Sequence, residues 1–104
     1  MIARTWNGRV PAQHADGFER HLLATGVAEA LALSGCLGAD VLRAEAEEHV
    51  DFRLVTFWRS WEAVLSFAGA EPGRAVLYPG DEEYGLIPSL VVEHHHVAHR
   101  SPGQ

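Results

Sequence analysis

The sequence predicts a single α+β domain whose elements follow the order β-α-β-β-α-β, with two helices on one face of a four-stranded antiparallel sheet. Two observations carry this prediction. Short runs of alternating apolar residues, typical of strands, are interleaved with two stretches whose apolar residues recur at helical spacing. The chain of 104 residues is also too short for a second core. We therefore expect one domain over residues 1–100 and a frayed tail over residues 101–104.

The first third of the chain predicts one strand followed by one helix. Residues Ile2–Val10 are apolar-rich, and Gly8 and Pro11 close them as a strand. Pro11 also suits the first turn of a helix, where its missing N–H costs nothing. Beyond it, apolar residues recur three or four positions apart, up to a Gly26 that we expect to end or bend the helix. A second short helical piece is expected over residues 27–33.

The middle of the chain predicts a β-hairpin. Two strands, Ala39–Ala44 and Val50–Trp58, are separated by the acidic connection 45–49. Apolar side chains of the second strand point both ways, because Val55 and Phe57 face away from Val50, Phe52 and Leu54. In a sheet with one solvent-exposed face, apolar and polar residues would alternate along the strand. Since apolar residues occur on both faces here, we expect both faces to be covered. The helices cover one face, and we expect a second copy of the chain to cover the other.

The last third predicts a second helix and a final strand. Ser60 is a good N-cap for a helix, and the stripe behind it is expected to pack in the core. This stripe consists of Trp61, Val64, Leu65, Phe67 and Ala68. We expect one more helical turn over residues 74–78, a solvated loop at residues 81–83, and a strand over Ser89–Val97. The six elements then form a ferredoxin-like arrangement.

Composition excludes several classes of partner. Eight basic against fourteen acidic residues leave a net charge of −6, which argues against nucleic acid and anionic membrane. The single cysteine, Cys36, cannot form an internal disulfide and so requires no oxidising compartment. No apolar run approaches the ~20 residues of a membrane span, and the first residues lack the apolar core of a signal peptide. We therefore expect a cytoplasmic protein.

A series of short stretches follows in a recognisable order along the chain. They are Phe57–Val64 (FWRSWEAV), Phe67–Gly69 (FAG), Arg74-Ala75, and Tyr78-Pro79 before Asp81. With the opening Met1–Trp6 and the closing Val92–His95, they resemble the antibiotic biosynthesis monooxygenase family. The resemblance implies a dimeric α+β barrel, a homodimer in which the two sheets face each other. The family includes cofactor-free oxygenases of aromatic polyketides, haem-degrading enzymes and members without a known activity, so the fold does not settle the reaction.

The resemblance implies a cofactor-independent monooxygenase that acts on a small aromatic or polyketide-like compound. Such a reaction needs few protein groups, since an electron-rich phenolate reacts with dioxygen once water is excluded and its negative charge is stabilised. The alternative is a non-catalytic homodimer of the same fold that binds a small ligand or serves as an accessory protein. The alternatives differ in whether polar donors converge inside a closed apolar cleft.

Three residues are the catalytic candidates. His94 is the expected general base, and Arg4 and Asn7 are the expected donors to developing negative charge. The cleft walls are expected to come from four aromatic residues, Trp6, Trp58, Tyr78 and Tyr84. An Arg in mid-strand needs either a carboxylate or a ligand if it is buried. A salt bridge to Glu93 is the structural alternative to an anion-binding role for Arg4.

Haem and metal sites find less support. Haem-degrading relatives carry an Asn on the first strand, a Trp in the second helix and a His after it. Here Asn7 matches, the Trp is replaced by Phe67, and no His occurs between His49 and His94. His94 and His96 share one face of a strand, but a metal site would need a third ligand, such as His49 or Glu93. We therefore expect no cofactor, and a metal-dependent activity of the C-terminal histidines is a third alternative.

Overall fold

The computed structural model describes residues 1–103 and shows an antiparallel sheet built around its first strand. Strand β1 (Ile2–Pro11) pairs along its whole length with β3 (His49–Trp58), which pairs in turn with β2 (Cys36–Glu45). Two short strands, β4 (Ile87–Pro88) and β5 (Glu93–His96), pair with the other edge of β1. The predicted α+β class is confirmed, and the strand order is β2-β3-β1 followed by β4 and β5.

Three α-helical segments lie against one face of this sheet. Helix α1 (Ala15–Leu22) continues through a π-helical turn (Leu23–Val27) into α2 (Ala28–Leu31), so the expected break at Gly26 is instead a local widening of a continuous helix. The third helix, α3 (Trp61–Ala68), begins at Ser60 as predicted. A π-turn of this kind often lies at a functional site, and here it buries Gly26 against the sheet side of the helix.

Helix α3 follows the expected capping chemistry but buries less of its apolar stripe than predicted. The Ser60 hydroxyl oxygen accepts a hydrogen bond from the Ala63 N–H at 3.2 Å, which satisfies one free donor of the first turn. Val64 is fully buried, whereas Trp61 and Leu65 are exposed. The stripe is wider than the surface on which the helix rests, so its edges face outward.

The final strand was predicted as one piece over Ser89–Val97, and this is wrong. Pairing with β1 stops after Pro88 and resumes at Glu93. Between them, the backbone of residues 90–92 bonds to another segment: the Ala75 N–H donates to the Leu90 carbonyl at 3.0 Å, and the Val92 N–H donates to that of Gly73 at 3.0 Å. The helical turn expected at residues 74–78 is also wrong, because this pairing holds its first residues extended.

The stretch expected to be a solvated acidic loop forms a 3-10 turn, Asp81–Tyr84. It follows Gly80, whose φ of 96° lies in the left-handed region that favours glycine. Residues 101–103, expected to fray, have no regular structure, and Gln104 lies outside the described residues. No helix within residues 1–103 has both the length and the apolar character needed to cross a membrane.

Alternation along β1 divides its side chains between two environments. The even-numbered residues face the helices and are buried, and the odd-numbered residues point to the opposite face. Two buried clusters fill the space under the helices. One centres on Trp6, Phe18 and Phe52, and the other on Trp58 and Val64. The candidate site lies between these two clusters.

Candidate active site

A cavity of about 40 Å³ lies between the sheet and the helices. It receives residues from β1, β3, α1, the π-turn, α3 and the segment 76–81. Most of its lining is apolar, and the polar side chains that reach it are Arg4, Thr56, Tyr78 and Asp81. A mainly apolar concave space with a few polar groups is the usual form of a small-molecule site.

Arg4 is the unusual group in this cavity, because its side chain is buried without a carboxylate. Only 4% of the residue is exposed. Nη1 donates to the Pro72 carbonyl at 2.6 Å, and Nη2 donates to the Arg74 carbonyl at 3.0 Å. Among the described residues no acid pairs with it; the salt bridge to Glu93 is wrong, since Glu93 is exposed and opposite Thr5 on the other face of the sheet.

The Arg4 guanidinium keeps its charge in this setting. Burial lowers its pKa, but arginine starts so high that it stays protonated at neutral pH. Its central carbon lies 5.7 Å from the centre of the Phe67 ring, a cation–π contact that compensates part of the lost hydration. The cavity wall therefore holds a full positive charge that the carbonyl dipoles and the ring only partly balance.

His94 lies directly behind Arg4 and does not line the cavity. The two residues are opposite each other on β1 and β5, and Nη1 of Arg4 lies 3.0 Å from Nε2 of His94. Because arginine only donates, we assign Nε2 as the acceptor and the ring proton to Nδ1. Burial, then the charges of Arg4 and His95, lower the pKa of His94 and favour this neutral form.

The geometry does not place the His94 ring where a general base would meet a ligand held in this cavity. The lone pair that a base would use is already engaged with Arg4, and no cavity surface reaches the ring. On its other side the ring packs edge-on against Trp61, with ring centroids 5.0 Å apart. These contacts make His94 a support that fixes the position of the Arg4 side chain.

Tyr78 supplies the second polar group of the cavity. Its hydroxyl oxygen is buried and forms no hydrogen bond of good geometry with any described residue. Burial first, and then the nearby Glu29 and Asp81 carboxylates, raise the pKa of this hydroxyl, while the charge of Arg4 opposes the shift. The group therefore stays protonated and can donate a hydrogen bond to a ligand.

Two further contacts hold the aromatic walls in place. Trp6 lines the cavity, and its indole N–H donates to the Ser89 carbonyl at 3.1 Å. Asp81 was expected to lie in a solvated loop. Instead it accepts a hydrogen bond from the Tyr78 backbone N–H at 2.9 Å and lies 2.6 Å from Nε2 of His21. Asp81 thereby fastens the segment that carries Tyr78 onto helix α1. The only sequence signal was an acid directly after a Pro-Gly turn.

The remaining predicted residues do not converge on the cavity. Asn7 lies on the opposite face of the sheet, where its side-chain carbonyl accepts a hydrogen bond from Nε of Arg53 at 3.0 Å. Trp58 is fully buried in the second cluster, and its indole N–H donates to the Thr56 hydroxyl at 2.8 Å. Tyr84 packs against Phe18, outside the cavity. Phe67, expected in the core, instead contributes to the cavity lining.

A larger depression of about 660 Å³ lies on the other face of the sheet, where the charged side chains of Arg9, Asp51 and Arg53 are not buried. Arg9 and Asp51 form an ion pair at 2.7 Å, and Arg53 bonds to Asn7. Arg43 also borders the depression, but its side chain lies on the helix face beside the buried Phe52, where it meets three acids, Asp16, Glu19 and Glu45. This depression offers no unbalanced buried charge comparable to that of Arg4.

No cluster of three or more potential metal ligands occurs within the part of the chain that the structure describes. His94 and His96 do share a face of β5, as expected, since they pair with Arg4 and Ile2. Neither has a third ligand in place. The cavity is mainly apolar and carries one cation, Arg4, one carboxylate, Asp81, and the hydroxyls of Thr56 and Tyr78.

Three solved bacterial proteins have a fold similar to this one. A candidate antibiotic biosynthesis monooxygenase from Deinococcus radiodurans is similar, with 15% identity, a TM-score of 0.68, and coverage of 100% of this chain and 99% of its own. One from Bacillus cereus has 14% identity, a TM-score of 0.67, and coverage of 99% and 96%. MupZ from Pseudomonas fluorescens has 17% identity, a TM-score of 0.52, and coverage of 90% and 69%.

At these identities the solved structures show the fold alone. No curated protein matches the chain. The family model of the antibiotic biosynthesis monooxygenases matches residues 1–77, which include Arg4, the whole hairpin and α3. The match covers well over half of the chain, and the three-dimensional likenesses extend along nearly all of it. The chain belongs to the antibiotic biosynthesis monooxygenase family.

Proposed function

We propose that the protein is a cofactor-independent monooxygenase whose substrate is a small aromatic compound bound as an anion. The observation that carries this proposal is the buried Arg4 charge, which faces an apolar cavity and has no carboxylate partner among the described residues. A buried charge of this kind is costly to the fold unless an opposite charge joins it. A bound anion would supply that opposite charge.

The reaction follows from holding an ionised phenol in this cavity. Binding beside Arg4 favours loss of the phenol proton to solvent, because the phenolate pairs with the guanidinium. The electron-rich ring then reduces dioxygen, one oxygen atom bonds to a ring carbon, and cleavage of the O–O bond releases the other as water. Overall, a phenol and O₂ give a quinone and water, so atoms and electrons balance without a cofactor.

Tyr78 and the apolar walls have distinct parts in this scheme. The protonated Tyr78 hydroxyl has no hydrogen bond of good geometry among the described residues and can donate one to the oxygen on which negative charge develops. Trp6 and Phe67 provide flat apolar surfaces that would exclude water from the ring. His94 acts indirectly, since it holds Arg4 through Nε2.

The size of the cavity requires one wall to move for a ring to enter. Its volume of about 40 Å³ is well below the roughly 150 Å³ of a protein cavity that accepts benzene. The segment 76–81 forms one wall, and Leu77 within it is exposed. We propose that this segment swings outward on binding and that the contact between Asp81 and His21 restores the closed form.

We also propose that the protein is a cytoplasmic homodimer that pairs through the sheet face opposite the helices. Val55 and Phe57 point to that face and are only half-buried within one chain, and the depression described above lies there too. A second copy would cover these side chains, as the family resemblance implies.

The alternative is a binding protein without catalysis. Two observations favour it: the cavity is small, and the imidazole expected to act as base is occupied by Arg4. Both hypotheses use the same cavity and the same charge, so they differ only in whether oxygen is consumed.

Oxygen uptake by metal-free protein with a panel of small phenols and hydroquinones tests the proposal. We expect uptake matched one to one by quinone formation for at least one compound. Arg4→Met should abolish it, whereas Arg59→Met, which removes the same charge from an exposed position, should not. Circular dichroism of both variants establishes that they fold. Tight binding of these compounds without any oxygen uptake would favour the binding protein instead.

A further inference from the structure

The number of unused donors on Arg4 indicates the kind of anion that it recognises. A guanidinium carries five N–H donors and no acceptor. Three of them have acceptors within the described residues: two on Nη1 bond to the Pro72 carbonyl and to Nε2 of His94, and one on Nη2 bonds to the Arg74 carbonyl. The Nε–H and one N–H of Nη2 remain without an acceptor there.

We infer that these two donors share one edge of the planar group. The Pro72 and Arg74 carbonyls belong to one short segment and engage Nη1 and Nη2, respectively, as expected when both carbonyls bond at the end of the guanidinium. His94 takes the remaining N–H of Nη1. The free N–H groups therefore fall on the side edge, where Nε and Nη2 are parallel. Paired donors in this geometry match two acceptor oxygens that lie side by side.

We propose, building on the function proposed above, that the Arg4 cavity selects anions whose single negative charge is shared by two neighbouring oxygens. Such ligands are aromatic carboxylates or ionised ortho-acylphenols. A lone phenolate oxygen satisfies the charge but cannot fill both donor positions with linear hydrogen bonds.

The rest of the cavity restricts the ligand further. Arg4 is the only cationic side chain among the lining residues, and Asp81 on the same lining would repel a second negative charge. Phe67 stacks beside the guanidinium and Trp6 is next to Arg4 along the same face of β1, so the group attached to the anion meets aromatic surfaces. A small monoanion with an aromatic body fits these requirements.

Five probes, used in four arms, separate charge from shape. Benzoate offers two oxygens and one charge, pentafluorophenolate offers one oxygen and one charge, and benzamide resembles benzoate without the charge. The fourth arm compares 2-hydroxyacetophenone, whose two oxygens are neighbours, with its 4-hydroxy isomer, whose oxygens lie apart. Binding is measured anaerobically by calorimetry, and the absorbance of the bound phenols reports their ionisation.

We expect benzoate to bind at least roughly tenfold more tightly than pentafluorophenolate, and benzamide not to bind. Preference for 2-hydroxyacetophenone, bound as its phenolate, over the 4-isomer would identify an ortho-acylphenol as the ligand group. Binding of benzoate alone would identify a carboxylate. Equal binding of benzoate and pentafluorophenolate, or no binding of any anion, would overturn the proposal.

Arg4→Lys is the decisive variant, because lysine keeps the charge and loses the paired donors. It should bind benzoate and pentafluorophenolate equally, while Arg59→Lys at an exposed site should keep the wild-type preference. Should the Arg4 variant not fold, the probe series on the wild-type protein still decides the question. Since binding is measured without oxygen, a two-oxygen preference can hold while the monooxygenase proposal fails, and the two results remain distinct.

Discussion

At the scale of single residues, Arg4 defines the site through what surrounds it. Its position on β1, two residues from Trp6, was enough to predict that both side chains share a face. Its partners could not be predicted, because the Pro72 and Arg74 carbonyls lie about 70 positions away in a segment without periodic pattern. The sequence therefore identified the charge but not the absence of an acid beside it.

The Tyr78 hydroxyl should weaken the fold while serving the reaction. Its oxygen is buried and has no hydrogen bond of good geometry within residues 1–103, a condition that costs about 1–3 kcal/mol. We expect Tyr78→Phe to raise the free energy of unfolding by about 1 kcal/mol and to lower oxygen uptake roughly 100-fold. Tyr84→Phe, outside the cavity, is the matched control and should change neither. Denaturant unfolding and an oxygen electrode give the two quantities; a Tyr78→Phe variant with full activity would remove this residue from the mechanism.

The neutral form of His94 gives the fold a pH dependence of known sign. Its pKa lies below the ordinary 6.5, so the unfolded chain binds the proton more readily than the native protein does. Stability attributable to His94 should therefore fall as the pH drops below 6.5 and level off once the pH is below the lowered pKa. The size of the loss depends on how much more weakly the native protein binds this proton.

His94→Gln tests this dependence, because glutamine can accept from Arg4 without titrating. Chemical unfolding of both proteins from about pH 8 to about pH 5 should show the wild type losing more stability than the variant. Parallel curves would mean that His94 has an ordinary pKa and that its contact with Arg4 does not hold it neutral.

At the scale of elements, the π-turn between α1 and α2 shapes the cavity through Gly26. A Cβ added to Gly26 would lie 3.6 Å from Tyr78 and 3.7 Å from Leu54, at ordinary contact distance inside the cavity lining. From the sequence, this glycine was expected to end or bend the helix, because glycine interrupts the helical pattern. In the structure the helix continues past Gly26 through the π-turn, because this stretch packs against the sheet.

Gly26→Ala should therefore fill part of the site without damaging the helix. We expect unchanged or higher stability, by up to about 1 kcal/mol from helix propensity, together with benzoate affinity reduced roughly tenfold. Gly73→Ala, where an added Cβ meets nothing within 4 Å, is the matched control and should keep wild-type affinity. Unchanged benzoate binding by Gly26→Ala would place the ligand elsewhere.

The elements near the C-terminus are the ones that the spacing of apolar residues did not predict. Strands β1 and β3 were predicted almost to the residue, because long alternation and sharp turn residues mark them. The stretch after Pro88 has strand-like composition throughout, yet it changes partner from β1 to residues 73–75 and back. Such a switch depends on which backbone groups meet in three dimensions, and no local pattern records it.

At the scale of the whole molecule, the apolar side chains on both faces of β3 imply more than one chain. The helices cover one face of the sheet, and this arrangement of helices on a single face led to the predicted fold class. The other face should be covered by a second copy, which gives a particle of about twice 11.4 kDa in sedimentation.

Val55→Glu tests that expectation, since Val55 lies on the face away from the helices, between Thr5 and Asp40 on the neighbouring strands. Burying the new charge at an interface would be costly, so we expect a folded monomer. Ala28→Glu, on the exposed side of α2, should remain dimeric. A wild-type protein that sediments as a monomer would contradict the barrel.

Nuclear magnetic resonance of isotope-labelled protein titrated with benzoate would locate the ligand, which we propose binds in the cavity beside Arg4. We predict saturable shifts of the Arg4 Nε–H, the Trp6 indole N–H and the Gly26 amide, with little change at Asn7 and Arg53 on the opposite face. Shifts confined to Asn7 and Arg53, with Arg4 unaffected, would contradict the account and move the site to the other face of the sheet.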